Sequence, residues 1–156
     1  MIRPYRESDL HAVARLFTES VHGLGSAHYD ETQLAAWAPT EPDISGWRAR
    51  LAQSTTLVAE VDNELAGFIS YEQNGHIDLL YVSPKHARRG IASELYNQAE
   101  ADLKVGGVVE MFTEASMVAR PFFERCGFHV IEEQCIERRG VTFRRYGMRK
   151  LLASDR

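Results

Sequence analysis

The chain has 156 residues, a formal net charge of −4 and a pI near 5.9, which argues against a surface that binds nucleic acid or an anionic membrane. A hydrophobic content of 44% and a charged content of 26% are typical of one globular domain, expected to span residues 1–156. Two cysteines, no apolar run of membrane-spanning length and an N-terminus unlike a signal peptide favour a cytoplasmic location.

The first half of the chain alternates short strands with amphipathic helices. Residues 1–5 are predicted to form a strand, and Ser8 with Asp9 is predicted to cap a helix with one apolar stripe. Two short helices are expected to follow a loop. Two strands are then expected on either side of an Asp-Asn turn. The predicted ranges are 31–37 and 44–52 for the helices and 56–61 and 65–71 for the strands.

The second half is organised around a strand, a basic turn and a helix. The apolar run at 77–82 predicts a buried strand, and four-residue spacing of apolar side chains predicts a helix from Ile91 to Leu103. A strand at 108–113 after this helix predicts one parallel pairing in an otherwise antiparallel sheet. A helix at 116–124, with Pro121 at an awkward position, and a hairpin of strands at 128–137 and 141–151 complete seven strands.

The turn between the central strand and its helix has the features of a phosphate site. The free amides of the first helical turn and the positive end of the helix dipole are expected to converge above the strand end. Arg88 and Arg89 add charge, and Gly90 allows the main chain to approach a ligand. The sequence matches neither G-x-x-x-x-G-K-[ST] nor G-x-G-x-x-G.

This segment resembles the acyl-CoA pyrophosphate loop of the GNAT superfamily of N-acetyltransferases, and nearly the whole chain follows that family's pattern. The pattern L-Y-V-x-P is present at 80–84, and [QR]-x-x-G-x-[GA] is matched at 87–92 with Ala87 at its first position. The resemblance implies an α+β fold with a mixed, mostly antiparallel seven-stranded sheet flanked by helices. It also implies that the two central parallel strands splay apart to admit the pantetheine arm.

The resemblance implies that acetyl-CoA is the acyl donor, held largely by backbone groups. The strand end would contact the pantetheine and the acetyl group, and the Val82 amide would stabilise the oxyanion. The loop and the start of the helix would hold the pyrophosphate. The cofactor-binding residues expected on this basis are Leu80, Tyr81, Val82, Ser83, Ala87, Arg88, Arg89, Gly90, Ile91, Ala92, Ser93, Ser116 and Phe123.

Two residues are candidates for the general base. Several family members have a Glu six residues before the position of Val82, where this chain has His76. Period-two alternation predicts that His76, Asp78, Leu80 and Val82 share one face of the strand. A neutral histidine suits proton removal from an ammonium group, and Asp78 could orient it or act through a water. A surface histidine at a strand start is the alternative.

The family pattern N-x-x-A-x-x-[FY]-Y-x-x-x-G-F is present at 116–128 with two departures. Ser116 replaces the Asn, and Phe123 replaces the Tyr that commonly protonates the departing thiolate. Tyr146 is a candidate replacement acid, with a buried sheet tyrosine as the alternative. Thiols are acidic enough, with a pKa of roughly 8.5 for cysteine, for a thiolate to leave unassisted. Ser116 is predicted to bond the pantetheine arm, to cap the helix, or both.

The segment between the first helices is expected to recognise the amine acceptor. His28, Tyr29 and Trp37 would supply its surface, while Asp30 and Glu31 could attract a cation, although helix capping and core packing are alternatives. The stretches 26–39, 114–128 and 137–150 resemble the YafP-like bacterial branch of GNATs. The six histidines are scattered without metal-ligand spacing, so no metal is expected.

The sequence therefore predicts an enzyme that moves an acetyl group from acetyl-CoA to a primary amine of a small molecule or peptide by direct transfer in a ternary complex. Use of a different acyl-CoA is one alternative. A catalytically weak CoA-binding sensor is another, favoured by Phe123 and Ala87. No nucleic-acid or membrane partner is expected, and a homodimer is an open alternative because dimers are frequent in the superfamily.

Overall fold

The computed structural model describes residues 1–152, in which seven strands and five helices alternate along the chain. Two single 3-10 turns, Glu7–Asp9 and Pro84–His86, precede the first and fourth helices. The helices are α1 (Leu10–Gly25), α2 (Glu31–Trp37), α3 (Ile44–Ala52), α4 (Ile91–Val105) and α5 (Arg120–Arg125). The strands are β1 (Ile2–Pro4), β2 (Thr55–Val61), β3 (Glu64–Tyr71), β4 (His76–Val82), β5 (Glu110–Ser116), β6 (His129–Arg138) and β7 (Val141–Leu151).

The strands form a single sheet in the order β1-β2-β3-β4-β5-β7-β6. Every neighbouring pair is antiparallel except β4 and β5, which α4 connects as a crossover. The predicted mixed seven-stranded α+β sheet is therefore confirmed. So is the expected parallel pairing at its centre.

Hydrophobic clusters cover both faces of the sheet. On one face, the predicted stripe of α4 packs with α5 and the strands, and Leu95, Ala99 and Leu103 are fully buried. On the other face, α1 contributes Leu10 and Val13 and packs with α2 and α3. Burying a side chain of this size contributes roughly 1.5–3 kcal/mol, so these two layers fix where the centre of the sheet lies.

Three predictions at the ends of strands and helices differ from the structure. Strand β5 begins at Glu110 instead of 108, because the Val108 amide donates to the Leu103 carbonyl and ties this residue to the end of α4. Helix α5 begins at Arg120, which places Pro121 in its first turn, where a missing amide hydrogen costs nothing. Asp9 does not cap α1 with its side chain; its carboxylate accepts from the Arg6 amide and from the Arg3 guanidinium.

No helix among residues 1–152 has the length and apolar character needed to cross a membrane. In the same residues, no group of three or more His, Cys, Asp or Glu side chains is placed to hold a metal ion.

Candidate active site

The site is a gap in the middle of the sheet, where β4 and β5 separate. The two strands pair only at His76 with Phe112 and at Ile77 with Thr113. Beyond these pairs β4 continues to Val82 and β5 continues to Ser116 without pairing to each other. The splayed central strands implied by the family resemblance are present.

Backbone polar groups of β4 face this gap in a regular pattern. The Ser83 amide donates to the Ala66 carbonyl at 2.8 Å, so Ser83 is a hydrogen-bonded position of the β3–β4 ladder. Hydrogen-bonded and non-hydrogen-bonded positions alternate along an antiparallel pair. The amides of Leu80 and Val82 therefore point away from β3 and into the gap, where a ligand can use them.

A β-bulge at Asp78 changes which side chains share a face of β4. Ser70 pairs with Leu79 and Tyr71 pairs with Ile77, which leaves Asp78 as the extra residue. Leu79 consequently packs in the α1 layer, while Leu80 and Val82 pack in the α4 layer. The prediction of one face shared by His76, Asp78, Leu80 and Val82 was wrong, because strict period-two alternation ends at the bulge.

His76 is held between two carboxylates. Its Nδ1 lies 2.6 Å from Glu72 Oε1, its Nε2 lies 2.8 Å from Glu114 Oε1, and its ring stacks on Phe112. The hydrogen bond to Glu114, supported by the bond to Glu72, raises the pKa of His76 to about 9 although burial opposes the shift. The same hydrogen bond lowers the pKa of Glu114. His76 is thus protonated near pH 7, not the neutral imidazole expected from the sequence.

Asp78 is paired with an arginine from α3. The Arg50 guanidinium donates to both carboxylate oxygens at 2.9 Å, in the two-pronged geometry that favours an arginine–carboxylate pair. The Asp78 side chain keeps an exposure of 22% in this pair. The carboxylate therefore remains in contact with the cavity described below.

The turn after β4 leads into α4 through two residues with left-handed backbone. Arg88 has φ 64° and Gly90 has φ 78°, and a Cβ placed on Gly90 would meet no protein atom within 4 Å. Gly90 precedes the first residue of α4, so the amides of the first helical turn open beside it. Both Arg88 and Arg89 are exposed. The main chain here is open to a ligand on its outer side.

Next to this turn is a cavity of ≈ 340 Å³, which we call the loop cavity. His86 on its wall is 7% exposed, and its Nδ1 has no hydrogen-bond partner within residues 1–152. Ser83 and Arg89 are the two predicted cofactor-binding residues that do not line it. The predicted cofactor-binding residues that do are Leu80, Tyr81, Val82, Ala87, Arg88, Gly90, Ile91, Ala92, Ser93, Ser116 and Phe123.

A second cavity of ≈ 190 Å³ opens on the β6–β7 side of the gap, and we call it the arginine cavity. Four arginines line it together with the carboxylates of Asp78 and Glu114 and an aromatic wall. The arginines are Arg50, Arg138, Arg144 and Arg145, and the wall consists of Phe17, Tyr29, Trp37, Tyr81, Phe123 and Phe143.

The two cavities meet at the gap. Six residues line both of them: Trp37, Leu80, Tyr81, Ser116, Ala119 and Phe123. The loop cavity thus lies beside the N-terminus of α4, and the arginine cavity lies beside charged side chains. The unpaired backbone of β4 lies between the two cavities.

The structure brings together some of the predicted acceptor residues and separates others. Tyr29 and Trp37 line the arginine cavity, and their rings pack edge-to-face at 5.3 Å. His28 is exposed and lines neither cavity, so its assignment to the acceptor site has no support in the structure. Asp30 caps α2 by accepting from the Gln33 amide, which is the structural alternative weighed for it.

The residues considered for proton donation differ in their surroundings. Phe123 is 3% exposed and places a hydrocarbon ring where the two cavities join. Tyr146 is buried among the strands beneath the Arg120 guanidinium and lines neither cavity. Ser116 Oγ accepts from the Ala119 amide at 3.1 Å and so closes the turn that precedes α5. It does not cap the helix as expected, because α5 begins at Arg120 and its N-cap position is Ala119.

The arginines and Glu114 were not identified from the sequence. Glu114 lay outside the strand predicted to end at 113, whereas β5 continues to Ser116 and the Glu114 side chain lines the arginine cavity. Arg138 and Arg145 lie on the final hairpin, where charged residues are equally typical of a solvated face. No local motif marks any of them.

Comparison with known proteins supports one family throughout. The model of the acetyltransferase (GNAT) domain matches residues 26–151. The uncharacterized N-acetyltransferase YafP of Escherichia coli (strain K12) is 37% identical over 151 residues, covering 95% of this chain and 93% of that protein.

Solved structures show the same fold. A GCN5-related N-acetyltransferase from Rhodopseudomonas palustris superposes with a TM-score of 0.93 at 30% identity, over 97% of this chain and 95% of that one. The PaiA N-acetyltransferase of Thermoplasma acidophilum, solved in complex with coenzyme A, has a TM-score of 0.75 at 21% identity and covers 97% and 98% of the two chains.

Proposed function

The chain belongs to the GNAT family of acetyltransferases, and from this premise we propose that it transfers acetyl from acetyl-CoA to a primary amine of a small molecule or peptide. The observation that carries the proposal is the meeting of the loop cavity and the arginine cavity at the open gap between β4 and β5. Each of the two reactants can occupy one cavity. Transfer is then direct, in a ternary complex.

The loop residues fit the pyrophosphate of acetyl-CoA. The amides that follow Gly90 open at the positive end of a 15-residue helix, where anions are stabilised. Arg88 lines the cavity, and Arg89 lies exposed beside it as a second charge partner. The open space beside Gly90 and the unpartnered Nδ1 of His86 are features that a polar ligand would satisfy.

The gap suits the pantetheine arm and the acetyl group. Acetyl-CoA supplies a thioester whose carbonyl carbon accepts the amine nitrogen. The Leu80 backbone offers strand-like hydrogen bonds to the arm, and Val82 donates its amide to the oxygen that becomes negatively charged. The C–N bond forms first and moves an electron pair onto the carbonyl oxygen. The collapse of this tetrahedral intermediate breaks the C–S bond, and the thiolate leaves without a nearby acid, since Phe123 cannot supply a proton.

The amine must lose a proton before it attacks. Asp78 and Glu114 are the carboxylates of the arginine cavity, and we assign to them the attraction of the ammonium group and the relay of its proton through water. His76 bonds Glu114 directly, so it either orients that carboxylate or, once deprotonated, serves as the terminal base. Tyr146 as an acid lacks a path to either cavity.

Two alternatives remain proposals of lower rank. A different acyl-CoA would place a longer chain in the gap, and a comparison of acetyl-, propionyl- and succinyl-CoA turnover distinguishes it. A CoA-binding sensor is favoured by the hydrocarbon ring of Phe123 and by Ala87, and tight CoA binding without turnover of any amine would identify it. The cytoplasmic location and the homodimer stay predictions.

The proposal is tested by acetyl-CoA titration of matched glycine variants. Gly90 (φ 78°) and Gly107 (φ 85°) flank opposite ends of α4, and an added Cβ meets no atom within 4 Å at either position. We expect Gly90→Glu to weaken acetyl-CoA binding more than about 100-fold, because the new carboxylate repels the pyrophosphate and occupies its space. Gly107→Glu carries the same backbone strain and charge and should bind like the wild type.

A third variant separates charge from size at the same position. Gly90→Gln adds similar bulk without charge, so it is expected to bind more tightly than Gly90→Glu. Calorimetry measures all four proteins. Wild-type affinity retained in Gly90→Glu would contradict the assignment of the loop, and absence of binding to the wild type would contradict the proposed function.

A further inference from the structure

Two arginines of the arginine cavity have no hydrogen-bonded carboxylate partner among residues 1–152. Arg138 makes no hydrogen bond or ion pair with any residue in 1–152. The hydrogen bond of Arg145 is to the neutral side chain of Gln134, at 2.7 Å. In contrast, Arg50 is bonded to Asp78, and Arg144 is paired with Glu133. The charge of Arg145 also acts on the nearby Glu114 carboxylate and helps to lower its pKa, but Glu114 is hydrogen-bonded to His76. Among residues 1–152 the cavity therefore contains guanidinium groups that no hydrogen-bonded carboxylate neutralises.

Strand register aims both side chains at the same space. Arg138 pairs across the hairpin with Val141, Ile136 pairs with Phe143, and Gln134 pairs with Arg145. Paired residues of an antiparallel ladder point to the same face, and so do residues two apart. Arg138 and Arg145 consequently flank Phe143 on the cavity side, and Arg145 lies beside Ser116 in the neighbouring β5.

The energetic position of Arg138 is unfavourable in the free protein. Burial is the main cause that lowers the pKa of Arg138, and the nearby charges of Arg50, Arg145 and Arg139 lower it further. A partly buried cation surrounded by other cations costs free energy unless an anion compensates it. Planar guanidinium groups bind carboxylate and phosphate oxygens through paired hydrogen bonds.

We propose that Arg138 and Arg145 form a subsite for an anionic oxygen group, a carboxylate or a phosphate, carried by the amine acceptor. This inference rests on the proposed function and specifies the acceptor class within it. The acceptor is a small amine with an acidic group, of which an amino acid is the simplest example. Its amine lies toward Asp78 and Glu114 at the gap, and its acidic group lies toward β6 and β7.

Cavity size agrees with a small acceptor. A volume of ≈ 190 Å³ is below the 300–1,000 Å³ typical of pockets for drug-sized ligands. A lysine within a basic peptide would bring further positive charge next to the two unpaired arginines. The cavity is thus unfavourable for that acceptor and favourable for an acidic one.

The test compares each of a set of L-amino acids with its C-terminal amide and, for the aromatic members, with its phosphonate analogue. The amide keeps the amine and the side chain but lacks the negative charge of the carboxylate. We expect kcat/KM to be about 10- to 100-fold higher for the acids, the effect of a charge-assisted hydrogen bond. The ammonium group of an amino acid amide loses its proton more easily than that of the amino acid, which by itself favours acetylation of the amide. A preference for the acids would therefore arise in spite of this difference in amine reactivity.

Variants assign the preference to the two arginines. Arg138→Gln and Arg145→Gln should each lower kcat/KM for acids about tenfold, mainly through KM, and leave the amides nearly unchanged. Arg149→Gln is the control, since Arg149 lies on β7 like Arg145, pairs with Glu110 and lines neither cavity. Equal rates for acids and amides in the wild type, or equal losses for both in Arg138→Gln, would overturn the subsite. Faster transfer to phosphonates than to carboxylates would identify a phosphate-type acceptor.

A binding measurement keeps the test decisive if no amine is acetylated. N-acetyl amino acids and their amides, as product analogues, are titrated into protein saturated with CoA. Tighter binding of the acids in the wild type, lost in Arg138→Gln, supports the subsite, and equal binding overturns it. Failure of CoA itself to bind would defeat the proposed function and this inference together, whereas CoA binding without acid preference would defeat only the inference.

Discussion

His76 shows how a residue type can be identified while its ionisation state is not. Its position six residues before Val82 is what suggested a base, and His76 is one of the two positions at which β4 pairs with β5. Its side chain lines neither cavity but bonds Glu114, which lines the arginine cavity. Its partners came from elsewhere in the fold. Glu72 and Glu114 convert a group that would titrate near 6.5 into one that titrates near 9.

This shift makes a prediction about the pH dependence of turnover. If His76 is the terminal base, it must be neutral, and the neutral fraction grows as pH rises through its pKa of about 9. We therefore expect kcat/KM to rise between pH 7 and 9.5 with a limb near 9, and the limb to disappear in His76→Gln. The acceptor used in this experiment should be an amine with a pKa below 8. Its own deprotonation is then complete before pH 9, and a limb near 9 reports a group of the enzyme.

The same pH profile distinguishes a base from a residue that only orients Glu114. His76→Gln lowers the rate by a similar factor at all pH values if the imidazole only positions Glu114, because no proton equilibrium of His76 then enters the rate. Thermal melts at pH 7 and 9 are needed alongside to separate catalysis from stability. A limb near 9 that persists in His76→Gln would exclude His76 as the base.

At the scale of single residues, sequence reasoning identified groups whose position follows from the local chain. Arg88, Gly90 and Ser93 lie where the strand–loop–helix pattern put them. Arg138 and Arg145 could not be identified in this way, since their role depends on a cavity whose walls come from parts of the chain far apart in sequence. The bulge at Asp78 was equally inaccessible, because an extra residue in a ladder is defined only by the partner strand.

At the scale of elements, the contact between β4 and β5 sets the geometry of the gap. Gly75 lies just before β4, and its carbonyl accepts the Phe112 amide at 3.0 Å, which fixes the first point of pairing. Its φ is 99°, and a Cβ built on it would lie 2.2 Å from the Glu110 carbonyl oxygen. The nearest obstacle is a backbone atom, which cannot turn aside as the end of a flexible side chain can. Glycine is therefore required here both by the positive φ and by the close approach of the Glu110 backbone.

Replacement of Gly75 by alanine should therefore destabilise the protein more than backbone strain alone. Gly107→Ala is the matched control, with φ 85° and open space, and its strain costs about 1–2 kcal/mol. Gly75→Ala adds a steric clash of about 1–3 kcal/mol, so we expect its melting temperature to be about 5–10 °C below that of Gly107→Ala. Calorimetry provides the measurement, and equal melting temperatures would show that β5 shifts without cost.

The order and type of the elements could be predicted because hydrophobic period and turn residues are local signals. The ranges of α2, α3 and β7 were predicted at the observed residues, with Pro39, Asp43 and Gly140 beside their ends. The start of β5 could not be predicted from the sequence. The Val108 amide donates a hydrogen bond to the Leu103 carbonyl at the end of α4, and this bond forms only in the folded turn.

At the scale of the whole molecule, the sheet consists of two halves that share a short ladder. Strands β1–β4 form one half and β5–β7 the other, and two residue pairs join them. Helix α4 provides a second connection, because Lys150 of β7 bonds Glu100 at 2.6 Å and the Tyr96 hydroxyl at 3.2 Å. The proposed position of acetyl-CoA would add a third connection, along the gap itself.

Amide hydrogen exchange measured by NMR tests whether acetyl-CoA connects the two halves of the sheet along the gap. Without ligand, the Leu80 and Val82 amides face the gap and have no strand partner, so we expect them to exchange rapidly. Saturating acetyl-CoA should slow both by at least about tenfold, because the pantetheine arm pairs with this backbone. The Ser83 amide already donates to Ala66 and serves as the internal reference, with slow exchange in both states.

The nucleotide end of CoA alone, 3′-phospho-ADP, distinguishes bridging from general stabilisation. It can occupy the loop but cannot reach the gap, so it should protect amides that follow Gly90 and leave Leu80 and Val82 exchanging at the free rate. If acetyl-CoA and 3′-phospho-ADP acted only by stabilising the whole fold, both would slow every amide that exchanges through global unfolding. Slow exchange confined to particular amides therefore indicates local contact with the ligand. Unchanged exchange at Leu80 and Val82 in saturating acetyl-CoA would place the pantetheine arm outside the gap and remove Val82 as the oxyanion donor.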